Sequence, residues 1–284
     1  MNSLNTLRVG KISYTNCFNI FHCLRRRLPA PGVEFHTAPP AELNALLSRG
    51  EIDLSISSSI EYARHSRDYC LLPNYCIGSE GEIWSIRLFS RLPLSGLNGR
   101  EIVLTGESET TVVLLKIILS RFLGFRNTFR TEFTDLETAL ENAPAVLLIG
   151  DKALAAGRRA APDINIYELS EIWREHTGLP FVFALWTLRR EALELKAGPL
   201  SVFWSALQTA HREMQRPDEM LISAILEARP FLDRETVLQY WRLISYELTE
   251  NHLRGLHEFY RLAHELGEAP RPPVFEFCDP AKSA

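Results

Sequence analysis

Small hydroxyl and amide side chains follow short apolar runs at three places in the sequence, and each group stands where a helix is predicted to begin. The groups are Thr15-Asn16, Ser57-Ser58-Ser59 and Ser108-Glu109-Thr110-Thr111. The backbone N–H groups at a helix start carry partial positive charge, and these side chains add hydrogen-bond donors beside them. Three such starts directed at one crevice would bind a small carboxylated molecule.

Each group also has a structural interpretation that the sequence leaves open. Asn16 lies at or just beyond the start of its helix, where capping of backbone N–H groups is the commoner role of an asparagine. One of the serines 57–59 is needed as a cap, and solvent-facing turn serines would explain the others as well as a bound carboxylate does. Glu109 would complement the helix dipole but repel a carboxylate, so we expect its side chain to point outward.

Ser85 and the acidic residues near predicted strand ends are the other candidates for chemistry. Period-two alternation in a predicted strand places Trp84 and Ser85 on opposite faces, and Ser85 fits a polar strand position and a ligand contact equally well. The candidate acids and bases are Asp151, Glu61, Glu80, Glu82 and His176, the last in a predicted loop. They form no recognisable pair, and neither a local hydrolase signature nor a glycine-rich phosphate loop is present. The histidine and cysteine spacings also lack a metal-binding pattern, so we predict no metal site and five buried, reduced thiols.

Composition excludes several classes of function. The 284 residues are 46% apolar and 23% charged, which suits a soluble globular protein of about two domains. The 31 lysines and arginines nearly balance the 35 aspartates and glutamates, so no net field would attract nucleic acid or a membrane surface. The first residues lack the basic and apolar regions of a signal peptide, and no apolar run approaches about 20 residues. We therefore expect a cytoplasmic protein that binds a small molecule.

Alternating strands and helices predict an α/β protein with sheets covered on both faces. The predicted strands span 7–12, 33–37, 52–56, 69–77, 83–90, 101–105, 128–133, 145–149 and 181–188. The predicted helices span 17–28, 40–48, 110–123, 135–142, 199–214, 218–228, 233–248 and 250–266. A further predicted helix is capped by Ser59, begins near Glu61 and runs to about Arg67. A turn-rich segment over 91–99 marks a domain crossing. We therefore expect a first lobe of residues 1–92 plus 189–284, an inserted second lobe of 93–188, and a ligand cleft between them.

Several segments, taken together, resemble one enzyme family in order and spacing. They are residues 9–16, 50–53, 58–63, 84–86, 108–111, 149–151 and 178–186. As a set, they are similar to the chorismate dehydratases, the first enzymes of the futalosine route to menaquinone. The resemblance covers roughly residues 7 to 190 of the sequence.

The resemblance implies a two-lobed type II periplasmic-binding-protein-like fold, with mixed sheets flanked by helices, used as a cytosolic enzyme. It implies a hydro-lyase that converts chorismate to 3-[(1-carboxyvinyl)oxy]benzoate without a metal or organic cofactor. The family's active-site asparagine and serine fall on Asn16 and Ser85. The substrate-binding residues that it implies are Ser58, Ser59, Ser108, Thr110 and Thr111, and Asp151 of segment 149–151 is counted with them.

Two departures from the family pattern concern the placement of the substrate. Cys17-Phe18-Asn19-Ile20 stands where the family often has proline and leucine, and Thr111 replaces a serine. The candidate residues are mostly neutral donors, whereas chorismate carries two carboxylates. We therefore hypothesise that a carboxylate of the substrate removes the ring proton, that Asn16 orients the departing hydroxyl or the enolpyruvyl group, and that Ser85 holds a carboxylate.

Two other functions remain compatible with the same fold. A cytosolic solute-binding or ligand-sensing protein is disfavoured because neither a signal peptide nor a DNA-binding segment is recognisable. The dihydroxynaphthoate-forming enzyme of the same pathway would need a different N-terminal motif and a catalytic histidine in the second lobe. Between about 100 and 185, the sequence has only His176.

Overall fold

The computed structural model describes residues 6–28, 32–132 and 135–280, and the chain divides into two units. The first unit contains Met1–Cys76, Ala184–Trp241 and Pro273–Ala284, and the second contains Ile77–Phe183 and Arg242–Pro272. Within these described ranges, the strands form two sheets, one of six strands and one of five.

The strands are β1 (Leu7–Lys11), β2 (Val33–Thr37), β3 (Leu54–Ser58), β4 (Tyr69–Ser79), β5 (Ile86–Ser90), β6 (Glu101–Leu104), β7 (Thr128–Thr131), β8 (Ala145–Ile149), β9 (Asn165–Glu168), β10 (Phe181–Arg189) and β11 (Ser245–Glu247). The helices are α1 (Thr15–Arg27), α2 (Pro40–Ser48), α3 (Ser59–His65), α4 (Thr110–Ile117), α5 (Leu136–Asn142), α6 (Gly150–Arg159), α7 (Leu169–Thr177), α8 (Arg190–Leu195), α9 (Ala197–Met214), α10 (Glu219–Ala228), α11 (Arg234–Leu243) and α12 (Glu250–Glu265). A 3₁₀ turn spans Leu94–Leu97, and a π-helical turn over Ile118–Phe122 continues α4.

The six-stranded sheet has the order β11-β4-β10-β3-β1-β2. β1 runs parallel to β2 and β3, whereas β10 runs antiparallel to β3. All five residues of β3 are buried, as expected of a central strand covered on both faces. In the first unit, α1 packs against α9 and α10. β4 and β10 each contribute residues to both units, and β11 belongs to the second.

The five-stranded sheet lies in the second unit and has the order β7-β6-β8-β5-β9. β6 runs parallel to β7 and β8, whereas β5 runs antiparallel to β8 and β9. The apolar run of β8 is buried throughout. A core packed from this sheet and helices α5 and α6 contains Phe89, Val103, Leu136, Ala139, Leu140, Ala143, Val146, Leu148 and Ala153.

The division into units differs from the predicted lobes of 1–92 plus 189–284 and 93–188. The chain passes between units within the long strands β4 and β10, not at the turn-rich segment 91–99. β5 belongs to the second sheet because it pairs with β8 and β9 on its two sides. Helix α12 also belongs to the second unit.

All five cysteines are buried and form no disulfide bonds, as predicted.

Among the described residues, no group of three or more histidines, cysteines and acids could hold a metal ion. In the same part of the chain, no helix has the length and apolar character needed to cross a membrane.

We expect Gly255→Ala to destabilise the protein, because Gly255 lies where α12 meets the backbone before β10. A Cβ atom at this glycine would lie 2.1 Å from the carbonyl oxygen of Pro180. Backbone must move to relieve such a contact, and overpacking of this kind costs about 1–3 kcal/mol. The free energy of unfolding in urea measures the effect.

Gly198→Ala is the matched control, because it adds the same methyl group to a helical glycine. Outside its two chain neighbours and the nearby backbone of its own helix, no atom of the described chain lies within 4 Å of a Cβ built at Gly198. Alanine is favoured over glycine in a helix by about 1 kcal/mol, so this variant should gain a little stability. Equal stability of the two variants would show that the Pro180 carbonyl shifts without cost.

Candidate active site

In the first unit, the parallel strands β1 and β3 bring two of the predicted groups to one sheet edge. Gly10 of β1 is in register with Ser55 of β3, so the two strands end at the same edge. Asn16 follows β1 as the second residue of α1, and Ser58 and Ser59 join β3 directly to α3. The carboxyl ends of parallel strands are where α/β sheets bind ligands.

Asn16 lies just beyond the N-cap, as the sequence predicted. Helix α1 begins at Thr15, two residues before the predicted start at Cys17, and its N-cap residue is Tyr14. Asn16 is therefore inside the first turn, where its partly buried side chain is not the N-cap group. The position of Asn16 is therefore not explained by a role as the N-cap residue of α1.

The three serines 57–59 are buried, so their interpretation as solvent-facing turn residues is wrong. β3 extends to Ser58, two residues beyond its predicted end, and Ser58 is the N-cap residue of α3 without a side-chain capping bond. The expectation that Ser59 caps this helix is therefore also wrong. The N–H of Ser58 donates to Oδ1 of the buried Asn44 over 3.1 Å. The buried hydroxyl of Ser57 has no hydrogen-bond partner in the described part of the chain.

Lys11, the last residue of β1, lies within electrostatic reach of two arginines, which sequence reasoning missed. Burial lowers the pKa of the Lys11 ammonium, and the nearby guanidinium groups of Arg25 and Arg229 lower it further. Arg229 donates a hydrogen bond to the carbonyl of Ser13, in the loop that leads into α1. A carboxylate bound near this loop would relieve the repulsion among the three cations. The only signal in the sequence was the position of Lys11 within the matching segment 9–16.

In the second unit, β5, β6 and β8 bring the other predicted residues to one edge of their sheet. Leu104 of β6 is in register with Leu147 of the parallel β8. Ile86, the first residue of the antiparallel β5, is opposite Ile149 at the end of β8. The residues at this edge are Ser85 before β5, Ser108, Thr110 and Thr111 after β6, and Asp151 after β8.

The segment that precedes α4 is held by its own hydroxyl groups. Ser108 Oγ donates to Thr111 Oγ1 over 2.9 Å and accepts from the N–H of Thr111 over 3.3 Å. Thr110 and Thr111 are buried, whereas Ser108 is partly exposed. These bonds fix the first turn of α4 and the orientation of the hydroxyl of Ser108.

Ser85 lies in a tight turn, so its predicted placement within a strand is wrong. β5 begins at Ile86, and Trp84 has a φ of +61°. The N–H of Ser85 donates to the carbonyl of Ile83 over 2.7 Å, and its carbonyl accepts from the N–H of Gly150 over 2.8 Å. Period-two alternation therefore does not apply to Trp84 and Ser85. Ser85 is 1% exposed.

Sequence reasoning also missed Glu168, the last residue of β9. Its carboxylate accepts hydrogen bonds from the backbone N–H groups of Ile83 and Trp84 in the Ser85 turn. More than 80 residues separate Glu168 from this turn in the sequence, so no local pattern links them.

Two of the candidate acids are engaged in local hydrogen bonds. Buried Glu61 accepts from the hydroxyl of Tyr69 over 2.9 Å, and burial together with this carboxylate raises the pKa of Tyr69 above its usual range. Glu82 accepts from Nε1 of Trp84 over 2.8 Å. Both contacts give these carboxylates a structural explanation.

The remaining candidates have different surroundings. The exposed Glu80 forms an ion pair with Arg174 over 2.6 Å. His176 lies in the last turn of α7, not in a loop, and its ring stacks on Phe122 at a centroid distance of 4.6 Å. Asp151 lies in the first turn of α6, partly buried. Of the five candidates, Asp151 directly follows β8 at the sheet edge that carries Ser85, and Glu82 contacts the neighbouring Trp84.

His252 is a buried histidine at the start of α12. Burial lowers the pKa of its imidazole, so the ring is neutral near pH 7. Nδ1 lies 2.8 Å from Oγ1 of Thr249, and together the two side chains cap the start of α12. This contact accounts for the histidine as part of a helix cap.

Comparisons with known proteins give the family. A family model described as menaquinone biosynthesis matches residues 7–265. The chain belongs to this family. It is 34% identical to the chorismate dehydratase of Thermus thermophilus, over 94% of this chain and 97% of the relative.

Solved structures show the fold of this menaquinone-biosynthesis family member. A protein from Archaeoglobus fulgidus matches with a TM-score of 0.73 and 19% identity, over 94% of this chain and 99% of that one. The alkanesulfonate-binding protein of Xanthomonas axonopodis, bound to MOPS, matches with a TM-score of 0.68 and 13% identity, over 95% and 96%. A Candida albicans protein described as having the generic periplasmic-binding-protein fold matches with a TM-score of 0.62 and 12% identity, over 93% and 92%. The predicted periplasmic-binding-protein-like fold is confirmed.

Proposed function

We propose that this chain removes water from chorismate to form 3-[(1-carboxyvinyl)oxy]benzoate, as a cytoplasmic hydro-lyase of the futalosine route to menaquinone. The observation that carries the proposal is the 34% identity to a chorismate dehydratase over nearly the whole length of both proteins. The neutral donors at the sheet edge of each unit and the positive charge around Lys11 suit a substrate with two carboxylates.

In the proposed reaction, Asn16 and Ser85 are the catalytic residues. The amide of Asn16 orients the hydroxyl that leaves or the enolpyruvyl group, and the hydroxyl of Ser85 holds a carboxylate of the substrate. The binding residues are Ser58, Ser59, Ser108, Thr110, Thr111 and Asp151. Each of these residues has a polar side chain, lies at the end of a strand or after it, and stands near the start of a helix.

The proton is removed by the substrate in this mechanism. A carboxylate of chorismate takes the proton from the ring carbon that carries the enolpyruvyl ether, and the electron pair of that C–H bond enters the ring. The hydroxyl on the neighbouring carbon departs, and with the proton it leaves as water. The ring becomes aromatic, which drives the elimination, while fixed hydrogen-bond donors stabilise the departing group.

The direct test is to incubate the purified protein with chorismate and to follow formation of the aromatic product. The expected result is catalytic turnover, with many product molecules formed per protein molecule. Binding of chorismate without product would instead support a solute-binding or ligand-sensing protein. Neither binding nor product would contradict both interpretations.

Replacing the candidate bases tests the substrate-assisted step. We expect Glu61→Gln, Glu80→Gln, Glu82→Gln and His176→Gln each to keep kcat within about tenfold of the unmodified protein, because loss of a true general base costs about 10²–10⁴-fold. Asp151→Asn should raise KM, because this residue is placed in binding, while kcat stays in the same range. The rate of product formation at several chorismate concentrations separates the two constants. Collapse of kcat with unchanged KM in any one variant would identify a protein base and contradict the mechanism.

A further inference from the structure

The turn that carries Ser85 has a backbone conformation that its sequence does not favour. Trp84 has a φ of +61°, in the left-handed region that bulky residues rarely adopt. The hydrogen bond from the N–H of Ser85 to the carbonyl of Ile83 closes a three-residue turn around Trp84. Three-residue turns with a positive central φ are rare and strained, so they persist only where surrounding groups hold them.

The group that holds this turn is the carboxylate of Glu168. Oε2 accepts from the N–H of Ile83 over 3.1 Å, and Oε1 and Oε2 accept from the N–H of Trp84 over 3.1 and 3.2 Å. Nε of Arg87 donates to Oε1. The side chain of Glu168 is only 7% exposed, and hydrogen bonds to an ionised carboxylate are among the strongest in proteins.

The sheet fixes where this carboxylate stands. Glu168 ends β9 and is in register with Arg87 of β5, two residues after Ser85. On the other side of β5, Ile86 is opposite Ile149, and the carbonyl of Ser85 accepts from the N–H of Gly150. The backbone of Ser85 is therefore held in two ways. Its carbonyl is bonded to Gly150 at the end of β8, and its N–H is bonded within the turn that Glu168 holds.

We propose that Glu168 is the positioning residue for Ser85. Its carboxylate holds Ile83 and Trp84 in the turn, and the turn sets the direction in which the side chain of Ser85 leaves the backbone. Glu168 does not touch the substrate in this arrangement and acts through Ser85. The proposal rests on the proposed function, since it gives Ser85 a task in binding and turning over chorismate.

Glu168→Gln tests the proposal, because it keeps the size of the side chain and replaces one acceptor oxygen with a donor NH₂ group. We expect kcat/KM for chorismate to fall about tenfold or more, since a misplaced hydrogen-bond donor loses part of its transition-state stabilisation. Glu171→Gln is the control, because Glu171 is an exposed acid in the first turn of α7, three residues away. This control should stay within about twofold of the unmodified protein.

A double-mutant cycle with Ser85→Ala separates positioning from a general structural role. If Glu168 acts through Ser85, adding Glu168→Gln to Ser85→Ala lowers kcat/KM by less than about twofold. A merely structural role of Glu168 would give the same factor in both backgrounds, and such an additive cycle would overturn the proposal. If Glu168→Gln does not fold, Glu168→Asp takes its place, because it keeps the charge and withdraws the carboxylate by one methylene.

Amide hydrogen exchange gives a readout that does not need turnover. The N–H groups of Ile83 and Trp84 should exchange about tenfold faster or more in Glu168→Gln than in Glu171→Gln, because they lose an acceptor. Unchanged exchange would overturn the proposal even if activity fell. If the unmodified protein does not convert chorismate, the proposed function fails, while the exchange experiment still decides whether Glu168 holds the turn.

Discussion

Asn16→Ala is expected to lower kcat for chorismate by about 10²–10³-fold, the usual cost of removing one donor aimed at a group that develops charge in the transition state. Asn16 follows β1 at the edge of its sheet and lies inside the first turn of α1, where it is not needed as the N-cap. The cost should fall mainly on kcat, because the proposed bond to the departing hydroxyl strengthens as that hydroxyl leaves. Steady-state rates of product formation measure it.

Asn251→Ala is the matched control for this variant. Asn251 is also the second residue of a helix, α12, and its side chain is exposed. The loss of an asparagine from a first helical turn is therefore common to the two variants, whereas only Asn16 is proposed to touch the substrate. A raised KM with unchanged kcat in Asn16→Ala would make Asn16 a binding residue only. Unchanged constants would remove it from the site altogether.

The sequence alone predicted the bounds of those helices and strands whose ends are determined by residues close to them in the sequence. Helix α2 spans Pro40–Ser48 as predicted, because proline suits a first helical turn and Gly50 adopts a φ of +73° just after the helix. Strand β8 spans Ala145–Ile149 as predicted, since an unbroken apolar run of this length suits a buried central strand. The start of α4 at Thr110 was also predicted from such signals, whereas α1 begins two residues before its predicted start at Cys17.

The remaining features depend on partners far away in the sequence. β3 runs to Ser58 because Ser57 and Ser58 pair with Leu185 and Ala184 of β10, and no neighbour of these serines encodes that pairing. The positive φ of Trp84 likewise depends on Glu168, so the local pattern around Ser85 looked like a continuous strand. Tertiary contacts overrode local propensity in both cases.

Asp53→Asn is expected to destabilise the protein by about 3–5 kcal/mol, because it breaks a buried ion-pair network and leaves a buried cation unpaired. Asp53 Oδ2 accepts from Nζ of the buried Lys196 over 2.6 Å and from the N–H of Arg8 over 2.7 Å. Oδ1 accepts from Nη2 of Arg8 over 2.6 Å. The network joins β1, the segment before β3 and the start of α9, so its loss should lower the free energy of unfolding in urea.

The loss of stability caused by Asp53→Asn should become smaller as the pH falls. Burial opposes ionisation of Asp53, but the hydrogen bonds from Arg8 and Lys196 outweigh it, and the pKa of the carboxyl lies below its ordinary value. A carboxyl with a lowered pKa stabilises the fold fully above the pKa of the unfolded chain, about 3.9, and loses this contribution as pH falls through the folded pKa. The gap between the unmodified protein and Asp53→Asn should therefore be large at about pH 7 and smaller at about pH 3.

Two further variants separate this network from surface electrostatics. Glu51→Gln removes an exposed carboxylate that pairs with Arg49, and solvent screens such an exposed pair, so this variant should change the free energy of unfolding much less than Asp53→Asn does. Asp53→Asn combined with Lys196→Met removes the buried ammonium as well, so it should recover part of the stability lost in the single variant. If Asp53→Asn costs no more than Glu51→Gln, or if the gap widens as the pH falls, the carboxylate does not stabilise the fold through Arg8 and Lys196.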